Sequence, residues 1–214
     1  MRTEVEARFR AEGPAPLEVL AMASHVGRAR LGAARTVDES DRYLDTDDGR
    51  LAAARWACRL RTREGTTRIS LKGPPVGAPT DAWHHRRPEV EGPASAEVSP
   101  ESWPPSAARD LLASLAGGRP LAERVRLDQE RTERSVTLDG LPALGVLTLD
   151  RVRLAVGSRD LGWLFIVELE LAPEAEDAEA ELGEMAAALS AMPGLFPEPR
   201  TKLEHALHRL DEHS

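Results

Sequence analysis

Cysteine is almost missing from this chain of 214 residues. Cys58 stands alone, which rules out an intramolecular disulfide and a thiolate metal cluster. Set beside Trp56 and Leu60, with no identifiable activating base, it reads as a small buried side chain. Aromatic residues make up only 4%, few for a pocket that recognises a ring by stacking. No apolar run is long enough to span a bilayer, and the N-terminus opens on charged, strand-like sequence, so a soluble cytoplasmic protein with no membrane partner is expected. Positive charge is in deficit: 28 basic against 36 acidic residues give a net charge of -8. A general nucleic-acid binder needs a basic surface to displace counterions, so no nucleic-acid partner is expected, although a local basic pocket is compatible with this balance. No Ser-His-Asp or Cys-His arrangement is supported, and Gly117-Gly118 reads as a loop rather than a phosphate-cradling G-x-G-x-x-G.

What the chain does have is alternation. Hydrophobic residues at 41% suffice for a core, and the length is enough for one large domain or two small ones. Residues 3–10 alternate polar and apolar, as a strand does. Pro14 and Pro16 lead into a predicted helix over residues 17–31, since the missing proline N–H has no partner at a helix start in any case. Strand is expected over 39–45, then a reversal at Thr46-Asp47-Asp48-Gly49 and a helical turn over 51–54. Residues 57–63 and 67–72 form a predicted hairpin about Glu64-Gly65. After a loop over 73–79, residues 85–90 resume as strand, where Pro88 predicts an edge or irregular position. A Pro-rich loop over 92–105 gives way to a helix over 106–115 with Ser106 as N-cap. Long strands over 124–138 and 144–156, joined at Asp139-Gly140, are followed by a strand over 164–171. An acidic helix over 174–192 and a last helix over 200–210 complete an α+β reading.

Residues two apart on a strand share a face, so the polar rows can be read directly. Glu4, Glu6 and Arg8 form one row; Arg59 and Arg61 another; Arg68, Ser70 and Lys72 a third; Glu89 and Glu91 a fourth; Glu168 and Glu170 a fifth. Any one row fits a solvated sheet face. Five together do not, because the charges are segregated by strand, and a solvated surface gains more from mixing signs. Segregation makes sense if the rows converge on a polyanion and a metal. Carboxylates suit hard cations such as Mg²⁺ and Mn²⁺, and Arg and Lys suit phosphate oxygens. The strands then close into a barrel with a charged interior, their apolar faces covered from outside by helices.

At this point the residues are similar to those of the CYTH family, the triphosphate tunnel metalloenzymes. Glu4–Arg10 resembles the family's opening E-x-E-x-K strand. Tyr43-Leu44-Asp45-Thr46 resembles Y-x-D-T, Arg59-Leu60-Arg61 the paired-basic strand, and Ile69-Ser70-Leu71-Lys72-Gly73-Pro74 the T-x-K-G-P segment. Glu89-Val90-Glu91 fits E-x-E, and residues 147–151 the aspartate-bearing strand. Leu161-Gly162 before Glu168-Leu169-Glu170 resembles L-G-x-F-x-E-x-E with a longer spacer, and Thr201-Lys202-Leu203 an S-K-Y-like position. The resemblance spans nearly the whole chain and rests on the order of the pieces. It implies a single domain over residues 1–214, an eight-stranded antiparallel β-barrel forming a tunnel with helices packed outside, that binds triphosphates with one or two divalent metals.

By the same resemblance Glu4, Glu6, Glu168 and Glu170 hold metal, with Asp150 and Glu89 or Glu91 assisting at the metal or substrate end. Arg59, Arg61, Lys72 and Lys202 hold phosphates. Arg131 or Arg134 supplies another phosphate contact; lying three apart, they face opposite ways on a regular strand. Arg8 departs from the family's usual Lys, to which positioning or deprotonation of the attacking water is ascribed. An Arg stays protonated and cannot act as a base, but it can clamp a phosphate. The implied activity is Mg²⁺- or Mn²⁺-dependent hydrolysis of a triphosphate to diphosphate and phosphate, catalysed with Glu4, Glu6 and Arg8. Inorganic triphosphate is the first substrate, and thiamine triphosphate and nucleoside triphosphates stay open. The alternatives are a class IV-type adenylyl cyclase and a non-catalytic polyphosphate-binding module. A monomer or homodimer is expected. His84-His85 reads as an exposed loop pair, His205, His208 and His213 as a solvated tail, and the acidic run over 174–184 as an outer helix surface.

Overall fold

Pairing of the alternating segments closes them into a ring. The computed structural model describes residues 1–77, 81–139, 141–175 and 177–212. Eight of its strands follow the order β8 (Leu121–Leu138), β4 (Arg35–Thr46), β5 (Ala57–Arg63), β6 (Thr66–Lys72), β7 (His84–Pro93), β1 (Arg2–Ala11), β10 (Arg159–Leu171) and β9 (Leu141–Val156). Pairing of β9 with β8 completes the barrel. Every pairing is antiparallel. Two short strands, β2 (His25–Val26) and β3 (Ala29–Leu31), extend the sheet beyond β8, and β11 (Leu195–Pro197) lies against β1.

Two apolar cores lie outside the wall. In one, Val5, Ala7 and Phe9 of β1 and Val167 and Leu169 of β10 pack against α1 (Pro14–Met22) and α4 (Glu179–Ser190). In the other, Leu60, Ile69 and Leu71 pack with buried Cys58 under α2 (Arg50–Ala53) and α3 (Ala107–Ala116). Ser106 caps α3, its side chain accepting from the Arg109 N–H at 3.2 Å. A third core is inside. At one end of the barrel, Val125, Leu127, Val152, Leu154, Leu164 and Ile166 point inward onto Ala206 and Leu203 of α5 (Lys202–Glu212). The expectation that apolar side chains all face outward is corrected here: α5 plugs the barrel, and the interior becomes oily where the helix fills it.

Other boundaries differ for identifiable reasons. The first helix ends at Met22, not near residue 31, because the Arg134 guanidinium gathers the carbonyls of Leu20, Ala21 and Ala23 at its end. The chain then turns at Gly27 (φ 57°) into the β2–β3 hairpin. Pro88 lies on an interior strand rather than an edge, but β6 pairs with β7 only as far as Glu89, so Pro88 sits where no ladder N–H is needed on that side. The acidic helix begins at Glu179, with a short 3-10 turn over Pro173–Ala175 before it. Gly140 of the predicted Asp139-Gly140 turn, the tail His213 and the end of the 73–79 loop lie outside the described residues.

Candidate active site

The charged rows meet inside the barrel. Alternate residues of β1 point inward, placing Arg2, Glu4, Glu6 and Arg8 on one line. Glu4 accepts from Lys72 Nζ on one oxygen and from Arg87 Nε at 3.1 Å on the other. Glu6 accepts from Arg8, whose Nε donates to Glu168 at 3.0 Å and whose Nη1 donates to the Arg200 carbonyl at 3.2 Å. Lys202, at the start of α5, donates to Glu168 at 2.7 Å and Asp150 at 2.5 Å. Arg131 forks onto Asp150 at 2.8 and 2.7 Å and lies 3.7 Å from Glu39. Arg61 forks onto Asp41, both bonds at 2.7 Å, with Arg59 3.5 Å from the same carboxylate. Ser70 donates to Glu89 at 2.7 Å, and Lys72 lies 3.6 Å from it. The result is a belt of alternating charge around the inner wall, enclosing a cavity of about 130 Å³.

Burial acts to raise the pKa of Glu4, Glu6, Asp41, Glu89, Asp150, Glu168 and Glu170, and cationic neighbours outweigh it at five of them. Lys72 and Arg87 hold Glu4 low, Arg61 and Arg59 hold Asp41 low, Lys72 holds Glu89 low, Arg131 and Lys202 hold Asp150 low, and Lys202 with Arg8 holds Glu168 low. Two carboxylates go the other way. Burial, together with the Glu4 and Glu168 charges, raises Glu6 despite Arg8. Burial with Glu4 and Glu6 pushes Glu170 up to about 7. Glu6 and Glu170 are cross-strand partners, with Glu4 two residues along. An all-carboxylate, mutually repelling oxygen set is what a hard divalent cation relieves, so the donor set fits Mg²⁺ or Mn²⁺. Among the described residues no three acidic, His or Cys side chains stand together as a preformed cage; Glu4, Glu6, Glu168 and Glu170 each accept from a resident Arg or Lys.

Most residues expected at the site line the cavity: Glu4, Glu6, Arg8, Arg59, Arg61, Lys72, Glu89, Glu91, Arg131, Glu168, Glu170 and Lys202, with Asp150 fully buried behind Arg131. The structure separates the open pairs. Arg131 faces inward, whereas Arg134 faces out and donates to the carbonyls of Leu20, Ala21, Ala23, Leu31 and Gly32. Arg134 is therefore a helix-end clamp and not a cavity residue, because odd positions of this strand point in. Glu89 is buried within the belt, while Glu91 is exposed at the mouth, 3.9 Å from Arg68.

Arg2, Glu39, Asp41, Arg87 and Gln129 also belong to the site, although no motif marks them. Arg2 shares strand parity with Glu4, Arg87 with Glu89, Gln129 with Arg131, and Glu39 and Asp41 with Tyr43, so parity is the sequence signal for them. Asp45 of the Tyr43–Thr46 stretch is structural: it accepts from the Leu51 and Ala52 N–H groups at 2.9 and 3.1 Å, capping α2. The histidine readings need correction. His84 and His85 lie on β7, partly buried and facing opposite ways; His85 Nε2 bonds the Glu198 carbonyl at 2.8 Å. His205 is buried 3.1 Å from Glu198, while His208 is exposed as expected.

The sequence model of the CYTH domain matches residues 2–206. Solved structures share the fold. The Hippeastrum protein HpAC1, described as a candidate adenylyl cyclase with a dominant triphosphatase activity, is 17% identical, with a TM-score of 0.62 over 96% of this chain and 95% of that one. A candidate adenylate cyclase from Bacillus halodurans is 20% identical, with a TM-score of 0.55 over 96% and 98%. The PH1819 protein of Pyrococcus horikoshii is 17% identical, with a TM-score of 0.58 over 95% and 99%. No curated protein matches the chain in sequence.

Proposed function

The chain belongs to the CYTH family, and on that premise we propose that it is a divalent-metal-dependent triphosphatase that hydrolyses a triphosphate, inorganic triphosphate first, to diphosphate and phosphate. The observation that carries this reading is the convergence of Arg59, Arg61, Lys72, Arg87, Arg131 and Lys202 on one enclosed cavity. Six permanent or near-permanent cations around so small a volume suit a chain of phosphates and little else. Glu4, Glu6, Glu168 and Glu170 would hold Mg²⁺ or Mn²⁺, with Asp150 and Glu89 behind them. When bound, the metal supplies charge neutralisation and a water of lowered pKa.

The protein's own groups do the rest. The guanidinium forks and ammonium groups orient the triphosphate and neutralise the charge that shifts onto the leaving diphosphate. Water oxygen bonds to the terminal phosphorus as the bridging P–O bond breaks; the bond's electrons leave with the diphosphate, one water proton stays on the phosphate formed and the other passes to solvent. Arg8 takes no proton. It fixes Glu6 and Glu168 and ties the β1 row to the segment that carries Lys202, a positioning role that a permanently charged side chain can fill. Binding exchanges partners: phosphate oxygens replace the carboxylates on Lys72, Arg131 and Lys202.

One observation favours a second reading, an organic triphosphate. A wider cleft of about 840 Å³ adjoins the cavity through Ala57, Lys72, Arg87, Thr201 and Leu203, and carries Trp56, His84 and His85. The test is phosphate release from tripolyphosphate, ATP and thiamine triphosphate with Mg²⁺, Mn²⁺ or chelator, with cyclic AMP scored in parallel. Metal-dependent release from tripolyphosphate is expected. Cyclic AMP as the main product from ATP would replace the reading with a cyclase, and tight binding without turnover would reduce it to a binding module.

A further inference from the structure

The first row of the tunnel has a cation at its outer end. Arg2 lies in register with Glu89 across the β1–β7 pair and shares its face with Glu4. Its Nε and Nη2 donate to one oxygen of Glu89 at 3.1 and 2.7 Å, and Nη2 also donates to Glu170 at 2.8 Å. One guanidinium thus spans the two strands that flank β1. Glu89 is already served on its other oxygen by Ser70. Among the described residues, Arg2 supplies the side-chain hydrogen bond that Glu170 accepts. Arg2 and Glu170 are similarly open, with 37% and 35% of their side-chain surface exposed, whereas Glu89 is only 2% exposed. The guanidinium and Glu170 therefore meet at the solvent edge, where Arg2 can swing out into water and a cation can reach Glu170.

We infer that Arg2 is a resident counter-cation that a divalent metal must displace from Glu170, so that this residue sets the metal affinity of the tunnel. The inference rests on the metal-dependent reading above. Lys72, Arg131 and Lys202 also hold carboxylates, but they stand deep in the cavity, where a bound phosphate takes over their charge. Arg2 stands at the mouth, beyond the belt, and is released into water instead. A positive charge within a few ångströms of a dication site opposes binding. Its removal therefore strengthens metal binding, whereas a residue that merely held the strands together would weaken it when lost.

The experiment is a titration of the full-length protein with Mn²⁺ alone at fixed pH, free Mn²⁺ being read by electron paramagnetic resonance. Arg2→Ala should bind Mn²⁺ about tenfold more tightly than wild type. Arg2→Lys, which keeps the charge, should stay within about twofold of wild type. Arg2→Gln should follow the alanine variant and serves in its place if that variant loses its fold by circular dichroism. Equal or weaker binding by the neutral variants would overturn the inference, as would a lysine variant that gains as much as alanine. If wild type binds Mn²⁺ and only the variants fail to differ, the role of Arg2 falls and the metal-dependent reading stands; if wild type binds no Mn²⁺, both fall together.

Discussion

The two ends of the barrel interior are built from the same strands and have opposite chemistry. On β10, Glu168 and Glu170 face inward at one end and Leu164 and Ile166 at the other. On β9, Asp150 gives way to Val152 and Leu154; on β8, Arg131 and Gln129 give way to Leu127 and Val125. Parity is unchanged along each strand, so pleating decides only that these residues point in. What they must be is decided by what fills the space. Where α5 enters, the contents are protein and the lining is oily. Where no helix enters, the lining is a belt of buried charge, costly to maintain unless each charge is paired and of use if its partners can be exchanged for a ligand.

That contrast can be broken at either end. The largest effect is expected at the charged end. Chelation should abolish phosphate release, and Glu4→Gln should lower metal-dependent turnover about 100-fold or more, at least the upper range seen when a metal site loses an outer-shell partner; unchanged rates by a phosphate assay would remove Glu4 from the site. At the oily end, Leu154→Ala should destabilise the fold by about 2–5 kcal/mol, seen as a lower denaturation midpoint, while the protein that stays folded keeps its affinity for tripolyphosphate. A large affinity loss there would mean that the plug tunes the site as well as sealing it.

Smaller effects sharpen the boundary. Arg131→Lys keeps charge but loses the fork, and should weaken tripolyphosphate binding about tenfold by calorimetry. Arg134→Lys on the same strand should lower thermal stability and leave that affinity alone. The reverse result would exchange their assignments. Arg8→Lys should keep or raise hydrolysis, and complete loss would show that the guanidinium geometry is indispensable. Least of all should happen at Cys58. Burial pushes its thiol up to about 12, with the Asp45 charge adding to this, so almost none is thiolate at pH 8, and a thiol reagent should react only after denaturation.

Much of the charged end was legible in sequence because like-signed residues two apart are conspicuous, and their order along the chain matched one family. The oily end was not. Leu164, Ile166, Val152 and Leu154 read as ordinary core, and nothing local distinguishes a strand face under an outer helix from one packed on a helix inside the ring. The choice between Arg131 and Arg134 needed the register of β8 against β9. Arg2 and Arg87 escaped notice because each stands next to carboxylates that drew the eye first. The end of α1 escaped because its clamp, Arg134, lies more than a hundred residues away.

The account turns on a polyanion lying within the belt beside a divalent cation. A crystal structure with tripolyphosphate and Mn²⁺, using the anomalous signal of the metal, tests this directly. The prediction is a phosphate chain contacting Arg59, Arg61, Lys72, Arg131 and Lys202, with Mn²⁺ on Glu4, Glu6, Glu168 and Glu170. Triphosphate bound on the outer wall, with the belt's ion pairs intact, would contradict it.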